Sequence, residues 1–302
     1  MDSSRQTLSF LKRRFAEIGI QPNAKHGQNF LIDLNVLDFI VRSADVGPGD
    51  FVLEIGTGTA SLTARLAQRA TRVLSVEIDE TLSQLASEEL AAFDNVQLLQ
   101  QDVLRNKNNF HANVLEAIQQ NVQQPGVEQF KLVANLPYNV ATAIVSNLLL
   151  TEHVPVSMTV MIQKELADRI VAEPSTKDYG SLSVWVQSQA IPLVLRELPP
   201  DIFWPRPKVH SSILQIVFSP DKRSLISDLK FFHDFVRTIF LHRRKFLRGS
   251  LLSSFKHELD KPTVDAVMAA LSLKSDARAE QLTTPQLLEL SNAVQAAIAN
   301  RH

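Results

Sequence analysis

The feature that most constrains this chain is an alternation of short apolar segments with longer helical ones. The apolar segments predict strands at residues 51–55, 72–76, 95–99, 130–134, 158–162, 192–198 and 212–218. Strands that alternate with helices predict an α/β fold around a largely parallel sheet. Beyond Pro220 the pattern becomes helical throughout, and Ser219-Pro220-Asp221 is a plausible boundary. We therefore expect an α/β domain over residues 1–219 and a small all-helical domain over 220–302.

The segment Asn135-Leu136-Pro137-Tyr138 directly follows the predicted strand at 130–134. Ligands of open α/β sheets bind at the carboxyl edge, where this segment is expected. The Asn135 Oδ1 atom and a backbone carbonyl, that of Leu136, could accept hydrogen bonds from an exocyclic amine of a nucleobase. Pro137 stiffens the loop, and Tyr138 offers a face for a base removed from its stack. An ordinary strand-ending turn is the alternative.

Two further strand ends predict a nucleoside site. Gly56 and Gly58 lie in the turn after the first strand, where glycines let a ligand approach the backbone. Glu77 ends the second strand, and a carboxylate there can accept the hydroxyls of a ribose. Asp102 follows the third strand and could accept from an adenine amine. The glycine pattern alone is weak, but its combination with the acidic strand ends favours a nucleoside ligand.

Basic residues are concentrated in two segments of a chain whose net charge is −1. Residues 203–256 carry eleven Lys and Arg against three Asp, and residues 1–30 are also basic. Such segments on an otherwise acidic chain predict a localised polyanion footprint, with solvated helix faces as the alternative. The candidate RNA-binding residues are Lys12, Arg13, Arg14, Arg206, Lys208, Arg243, Arg244, Lys245 and Arg248. In the loop around Arg206, Phe203 could stack on a base or simply pack in the core.

Composition excludes several kinds of chemistry. The chain has no cysteine, which excludes disulfides, thiolate nucleophiles and cysteine-bound zinc. We expect no metal. The first residues lead into an amphipathic segment, and no apolar run approaches about 18 residues. We therefore expect a cytoplasmic protein without a membrane segment. We also expect a monomer, although no sequence pattern addresses the oligomeric state.

Taken together, these motifs resemble the family of ribosomal RNA adenine dimethyltransferases that act on the small subunit. The resemblance spans roughly residues 20 to 290 and includes Lys25–Asp33, Glu54–Thr63, Val76–Asp79, Asn135–Tyr138, Phe203–Ser212, His242–Leu247 and Arg278–Leu282. It implies a Rossmann-like, seven-stranded class I methyltransferase domain with a helical C-terminal RNA-binding domain. It also implies S-adenosylmethionine as methyl donor. The substrate would be two adjacent adenosines in the 3′-terminal hairpin of small-subunit (16S) rRNA, with a role in small-subunit biogenesis.

The same resemblance implies roles for individual residues. Gln28, Asn29 and Gly56 would surround the methionine part of the cofactor, and Glu77 would hold its ribose. Asp102 would contact the adenine amine, with Ile78 and Val103 against the ring. The cofactor set also includes Leu31, Gly58 and Asn135. The target adenine would be held by Asn135, Leu136, Pro137 and Tyr138, with Phe203 closing the other side of its stack.

Three departures from the family pattern and three alternatives stand beside this hypothesis: Ser181 replaces a frequent Arg, the 105–128 connection is longer than usual, and Ala60 is the third departure. Ala60 replaces a third glycine of many members, which costs little if the position only packs helix on strand. One alternative is a large-subunit methyltransferase of the macrolide-resistance type, which the longer helical tail and Arg278–Leu282 disfavour. A catalytically silent assembly factor is disfavoured by the intact Glu77, Asp102 and Asn135–Tyr138. Methylation of glutamine or a small amine is disfavoured by the basic tail.

Overall fold

The computed structural model describes residues 8–19, 21–22, 27–241 and 245–300. Its N-terminal elements are α1 (Leu8–Ile18), β1 (Phe30–Leu31), α2 (Leu34–Ser43), β2 (Asp50–Ile55), α3 (Ser61–Ala67), β3 (Arg72–Glu77), α4 (Glu80–Glu89), β4 (Val96–Gln100), β5 (Leu104–Asn106), β6 (Asn109–Phe110), α5 (Ala112–Val122), β7 (Gln129–Asn135) and α6 (Ala141–Leu148). There follow β8 (Ser157–Gln163), α7 (Lys164–Val171), α8 (Ser181–Gln187), β9 (Ala190–Leu198), β10 (Phe203–Trp204), β11 (Ser211–Phe218), α9 (Pro220–Ser224), α10 (Leu229–Phe240), α11 (Leu247–Ser254), α12 (Lys261–Ala270) and α13 (Thr284–Ala299).

The central sheet has seven strands in the order β4-β3-β2-β7-β8-β11-β9. Strands β2, β3, β4, β7 and β8 run parallel, whereas β11 is antiparallel to β8. All seven strands were predicted from apolar segments, and the α/β fold is confirmed. The strand order reverses between β2 and β7, which is where open α/β sheets form a ligand crevice.

The middle of the sheet is the most apolar part of the fold because helices cover it on both faces. Every residue of β2 is buried, and so are the five residues before Asn135 in β7. Phe51 of β2 stacks on Phe130 of β7 at 5.0 Å between ring centroids. At the amino end of these strands the ammonium group of Lys131 donates to Asp50, 2.8 Å away, so that neither buried charge is left without a partner. This ion pair thereby joins the amino ends of β2 and β7.

The chain divides into two compact units, which differ in part from the predicted domains. The sheet unit comprises residues 1–167 and 193–218, and the helical unit comprises 168–192 and 219–302. The break after Phe218 lies next to the predicted boundary. Residues 168–192 instead group with the C-terminal helices, and one reason is a hydrogen bond from the buried Tyr179 hydroxyl to the Leu282 carbonyl. No sequence pattern signalled this grouping.

Two short pairings were not predicted. The two-residue strands β1 and β10 pair with each other, and β5 and β6 form a hairpin in the connection between β4 and α5. Strands of two or three residues leave no periodicity to detect. In the part of the chain that the structure describes, no helix is long and apolar enough to cross a membrane.

Candidate active site

A cavity of about 1160 Å³, its open mouth included, lies at the carboxyl edge of the sheet. Its walls come from the loop before β1, the turn after β2, the ends of β3 and β4, and the segment after β7. The predicted site residues that line it are Gln28, Asn29, Leu31, Gly56, Gly58, Glu77, Ile78, Asp102, Val103, Asn135, Leu136, Pro137 and Tyr138. The structure therefore brings together residues from five separate segments, because parallel strands end at a common edge.

Asn135 is fixed in one orientation. Its Nδ2 atom donates to the backbone carbonyl of Asn29 at 3.0 Å. Because a carbonyl oxygen can only accept, this contact assigns the amide nitrogen to that side and leaves Oδ1 as the acceptor. The next residue is anchored through its backbone, since the Leu136 N–H donates to the Met161 carbonyl of β8 at 3.1 Å. The segment after β7 is thus held by two different parts of the sheet unit.

Tyr138 presents its ring to the cavity while its hydroxyl is anchored. The Oη atom lies 2.6 Å from the Ser211 Oγ atom of β11. Burial raises the pKa of the Tyr138 phenol, with the Ser211 hydrogen bond opposing that shift. The hydroxyl therefore stays neutral at physiological pH and serves to position the ring. Ser211 was not predicted, because no local pattern signals a contact to a residue 73 positions away.

Glycines allow the walls of the cavity to pack closely. Gly56 has φ +87°, and a Cβ atom there would lie 3.6 Å from the Asn135 carbonyl oxygen. Gly27 has φ +65°, and a Cβ atom there would lie 3.2 Å from the Asn139 Oδ1 atom. A side chain at either position would strain the backbone because φ is positive, and at Gly27 it would also crowd Asn139.

Ala60 corrects our expectation that its methyl group would cost little. Its backbone is left-handed, with φ 62° and ψ 10°, so the position favours glycine for conformational reasons as well as for packing. A left-handed alanine costs roughly 1 kcal/mol or more relative to glycine. The buried methyl group packs with Ala86 and Leu90, which offsets part of that cost.

Glu77 is arranged to accept hydroxyl groups. Its two carboxylate oxygens accept from the backbone N–H groups of Gly58 at 2.9 Å and Asp79 at 3.0 Å. Burial raises the pKa of Glu77 above its usual value, and these two hydrogen bonds oppose the shift. Each oxygen keeps a further lone pair, so the pair can still accept from a diol.

A buried polar chain that we did not predict supports the turn after β2. Thr57 donates to Ser75 at 2.6 Å, and Ser75 and Thr63 both donate to Glu54. Burial raises the pKa of Glu54 to about 8, against the hydrogen bonds from Thr63 and Ser75. An acidic residue inside an otherwise apolar strand was the sequence signal for this group.

The remaining predicted cofactor residues, Ile78, Asp102 and Val103, also line the cavity. Asp102 accepts from the Leu104 N–H at 2.9 Å, which fixes its carboxylate beside the buried Val103. Ile78 is 41% exposed, a large value for an apolar side chain beside a pocket. Apolar side chains next to a carboxylate acceptor suit a purine ring with an amine.

Phe203 is the exception among the predicted site residues. Its side chain is 2% exposed, packs in the core with Leu198 and Ile213, and does not line the cavity. The pairing of β10 with β1 places Phe203 opposite Leu31 and turns its ring inward. The alternative interpretation, packing in the core, describes its position, and we assign it no stacking role.

The candidate RNA-binding residues differ in how far their charge is already compensated. Lys12, Arg206, Lys208 and Lys245 are exposed. Arg14 pairs with Glu88 at 3.1 Å, and Arg13 lies 3.9 Å from Glu17. Arg248 makes a two-pronged pair with Asp265, with one contact at 2.8 Å. Arg243 and Arg244 lie outside the described residues.

Among the residues described, no group of three or more acidic, histidine or cysteine side chains could hold a metal ion.

The seven-strand order and a cavity built from glycine turns and acidic strand ends define a class I S-adenosylmethionine-dependent methyltransferase. The donor set fits this cofactor, since Glu77 can accept a diol and Gly56 leaves space beside Asn135. The chain belongs to the ribosomal RNA adenine dimethylase family, whose model matches residues 19–295.

Known proteins agree with this assignment. The chain is 42% identical to ribosomal RNA small subunit methyltransferase A of Alkaliphilus oremlandii over 267 residues, covering 88% of this chain and 89% of the relative. It is 40% identical to the protein of that name in Caldanaerobacter subterraneus, covering 89% and 96%. Among solved structures, a dimethyladenosine transferase from Plasmodium falciparum has a TM-score of 0.71 at 21% identity, covering 86% of this chain and 95% of that one. The 23S rRNA methyltransferase ErmE has a TM-score of 0.62 at 25% identity, covering 88% and 100%.

Proposed function

We propose that this protein dimethylates the N6 amines of two adjacent adenosines in the 3′-terminal hairpin of small-subunit rRNA. The observation that carries the proposal is the fixed Asn135 carboxamide, whose Oδ1 acceptor belongs to the same cavity as Glu77 and Tyr138. The names of the relatives support the small subunit as substrate. We further propose that the protein acts as a monomer, that the helical unit binds RNA, and that the modification contributes to small-subunit biogenesis.

The chemistry requires positioning more than acid–base catalysis. The lone pair of an adenine N6 amine is delocalised into the ring, so the amine is a weak nucleophile. Acceptance of its hydrogens by Asn135 Oδ1 and the Leu136 carbonyl favours a tetrahedral nitrogen whose lone pair is available. The ring of Tyr138 would support the flipped base. A neutral phenol anchored by Ser211 suits this role, because it adds no charge to the site.

Bound in this cavity, S-adenosylmethionine supplies an electrophilic methyl group on a sulfonium. The N6 amine held by Asn135 and Leu136 would take this methyl group and would release its displaced proton to water. Glu77 would hold the ribose hydroxyls through the lone pairs that Gly58 and Asp79 leave available. Asn135 and Leu136 would align the amine for an in-line approach to the methyl group. We attribute most of the rate enhancement to this alignment.

The test is incubation of the purified protein with labelled S-adenosylmethionine and unmethylated small ribosomal subunits, with large subunits as control. Nucleoside mass spectrometry should find N6,N6-dimethyladenosine in small-subunit RNA alone. An Asn135→Ala protein serves as the negative control. Product on the large subunit alone would replace the proposal with the macrolide-resistance type of activity, and no product on either would leave an assembly factor.

A further inference from the structure

Phe246 is an aromatic side chain that the helical unit leaves in solvent. It is 50% exposed, whereas Phe232 and Phe235 of the same unit are each 1% exposed. Among the described residues it is the one aromatic ring in the set of exposed large hydrophobic side chains. The next residue, Leu247, is fully buried and packs this end of α11, so the Phe246 ring is not required in the core. The ring is therefore available for a ligand.

The ring is paired with a guanidinium group and both are held by backbone contacts. The Arg278 Cζ atom lies 5.7 Å from the centroid of the Phe246 ring. The Leu247 N–H donates to the Ala277 carbonyl at 2.7 Å, which joins the two segments beside the pair. The Arg278 N–H donates to Gln281 Oε1 at 2.9 Å. The backbone segments that carry the ring and the guanidinium group are thus joined before a ligand binds, which lowers the entropy lost on binding.

The charges around this pair favour an anionic partner. Lys245 and Lys274 are exposed, and the carboxylates on the segment of Arg278 are the exposed Asp276 and the half-buried Glu280. Arg248 is compensated by Asp265, so it adds little to the local field. An exposed ring with cations beside it suits an unpaired nucleotide, because the base can stack while the phosphate meets the cations.

We propose that Phe246 and Arg278 form a stacking platform for an unpaired nucleotide of the RNA substrate, outside the methylation cavity. This proposal rests on the proposed action on ribosomal RNA. Its contribution is to RNA affinity, and it leaves the methyl-transfer step unchanged. The chemistry that recognises the ligand is a base face together with a phosphate, with no requirement for a particular base.

The experiment compares Phe246→Leu, which keeps apolar bulk, with Phe246→Tyr, which keeps the aromatic face. Affinity for unmethylated small subunits is measured across a salt series without cofactor, and KM and kcat are measured separately. We expect Phe246→Leu to weaken binding by about tenfold. Its salt slope should be unchanged because every cation that meets a phosphate is still present, and its kcat at saturating substrate should match the unmodified protein. Phe246→Tyr should bind normally.

Leu241→Ala is the matched control, because Leu241 is 74% exposed and carries no ring. Normal binding by Phe246→Leu, or equal losses of affinity in the Leu and Tyr variants, would overturn the platform. Arg278→Gln should weaken binding and also lower the salt slope, and an unchanged affinity would likewise contradict the proposal. If the unmodified protein methylates nothing yet binds RNA in a Phe246-dependent way, the proposed function fails while the platform stands.

Discussion

The amide nitrogen of Asn135 donates to the backbone carbonyl of Asn29 at 3.0 Å, which joins the end of β7 to the loop before β1. This bond decides which end of the carboxamide is left to accept a hydrogen bond in the cavity. It also couples the two sides of the cavity, because Asn29 belongs to the segment that we assign to the cofactor. The amide nitrogen of Asn135 thus joins two segments of the cavity wall, and its amide oxygen is the acceptor that we propose for the target amine.

Replacement of Asn135 by Ala should lower kcat/KM by more than about tenfold, while RNA affinity stays within about twofold. The substitution removes an acceptor of the target amine and leaves the basic segments intact. Single-turnover methylation and filter binding separate the two effects. Asn108→Ala, at an exposed amide in the β5–β6 hairpin, is the control. A variant that loses RNA binding yet methylates bound RNA normally would contradict the assigned role.

Tyr138→Phe should keep the ring and remove only the hydrogen bond to Ser211. We expect a loss of about 1 kcal/mol of folding stability and less than a tenfold loss of kcat, because the stacking face remains. Tyr138→Ala should cost more in kcat/KM than Tyr138→Phe. Denaturant unfolding and single-turnover kinetics are the measurements. Equal rates for the Phe and Ala variants would show that the ring does not support the base.

Glu77→Gln should raise the dissociation constant of S-adenosylmethionine by at least about tenfold. The uncharged side chain accepts through one oxygen instead of two, so either Gly58 or Asp79 loses an acceptor and the diol loses one as well. Calorimetry measures the affinity, and RNA binding without cofactor should be unchanged. Unaltered cofactor affinity would remove Glu77 from the ribose site.

The raised pKa of Glu54 predicts that the free energy of unfolding of the protein without cofactor falls as the pH rises. Burial raises the pKa of Glu54 from 4.5 to about 8, so between these values the folded chain holds a proton that the unfolded chain has released. The stabilisation is complete below the unfolded pKa and is lost through the folded one, by up to about 1.4 kcal/mol per pH unit. Urea unfolding at pH values between about 5 and 9 should show this slope, and Glu54→Gln should flatten it. If the Gln variant showed the same pH dependence of unfolding, that dependence would belong to another titrating group.

Reversal of Arg243 and Arg244 to Glu should weaken RNA binding and lower its salt dependence by about 0.7 to 0.9 for each phosphate that is no longer neutralised. Arg248→Glu should have a smaller effect, because Arg248 is already paired with Asp265. Plots of log affinity against log salt concentration give the slopes. An unchanged slope in the double variant would exclude this segment from the RNA footprint.

The fold and most residues that line the cavity could be predicted from the sequence, because the end of a strand is marked by two local features. An apolar segment marks the strand, and the residue that follows it lies at a known edge of the sheet, as with Glu77 and Asn135. Contacts set by the tertiary structure had no such signal. The burial of Phe203 depends on the pairing of two-residue strands, which leaves no periodicity in the sequence. The left-handed backbone of Ala60 could not be predicted, because alanine usually favours helix.

The hydrogen bond between Tyr138 and Ser211 has a consequence for the timing of activity during synthesis. Strand β11, which carries Ser211, is inserted between β8 and β9 in the sheet, although it is made after both. A growing chain that ends before Ser211 has β9 without its neighbour and Tyr138 without its anchor. The site that we propose for the adenine is therefore complete only once β11 has left the ribosomal exit tunnel, so we expect a nascent chain that ends before Ser211 to lack methyltransferase activity.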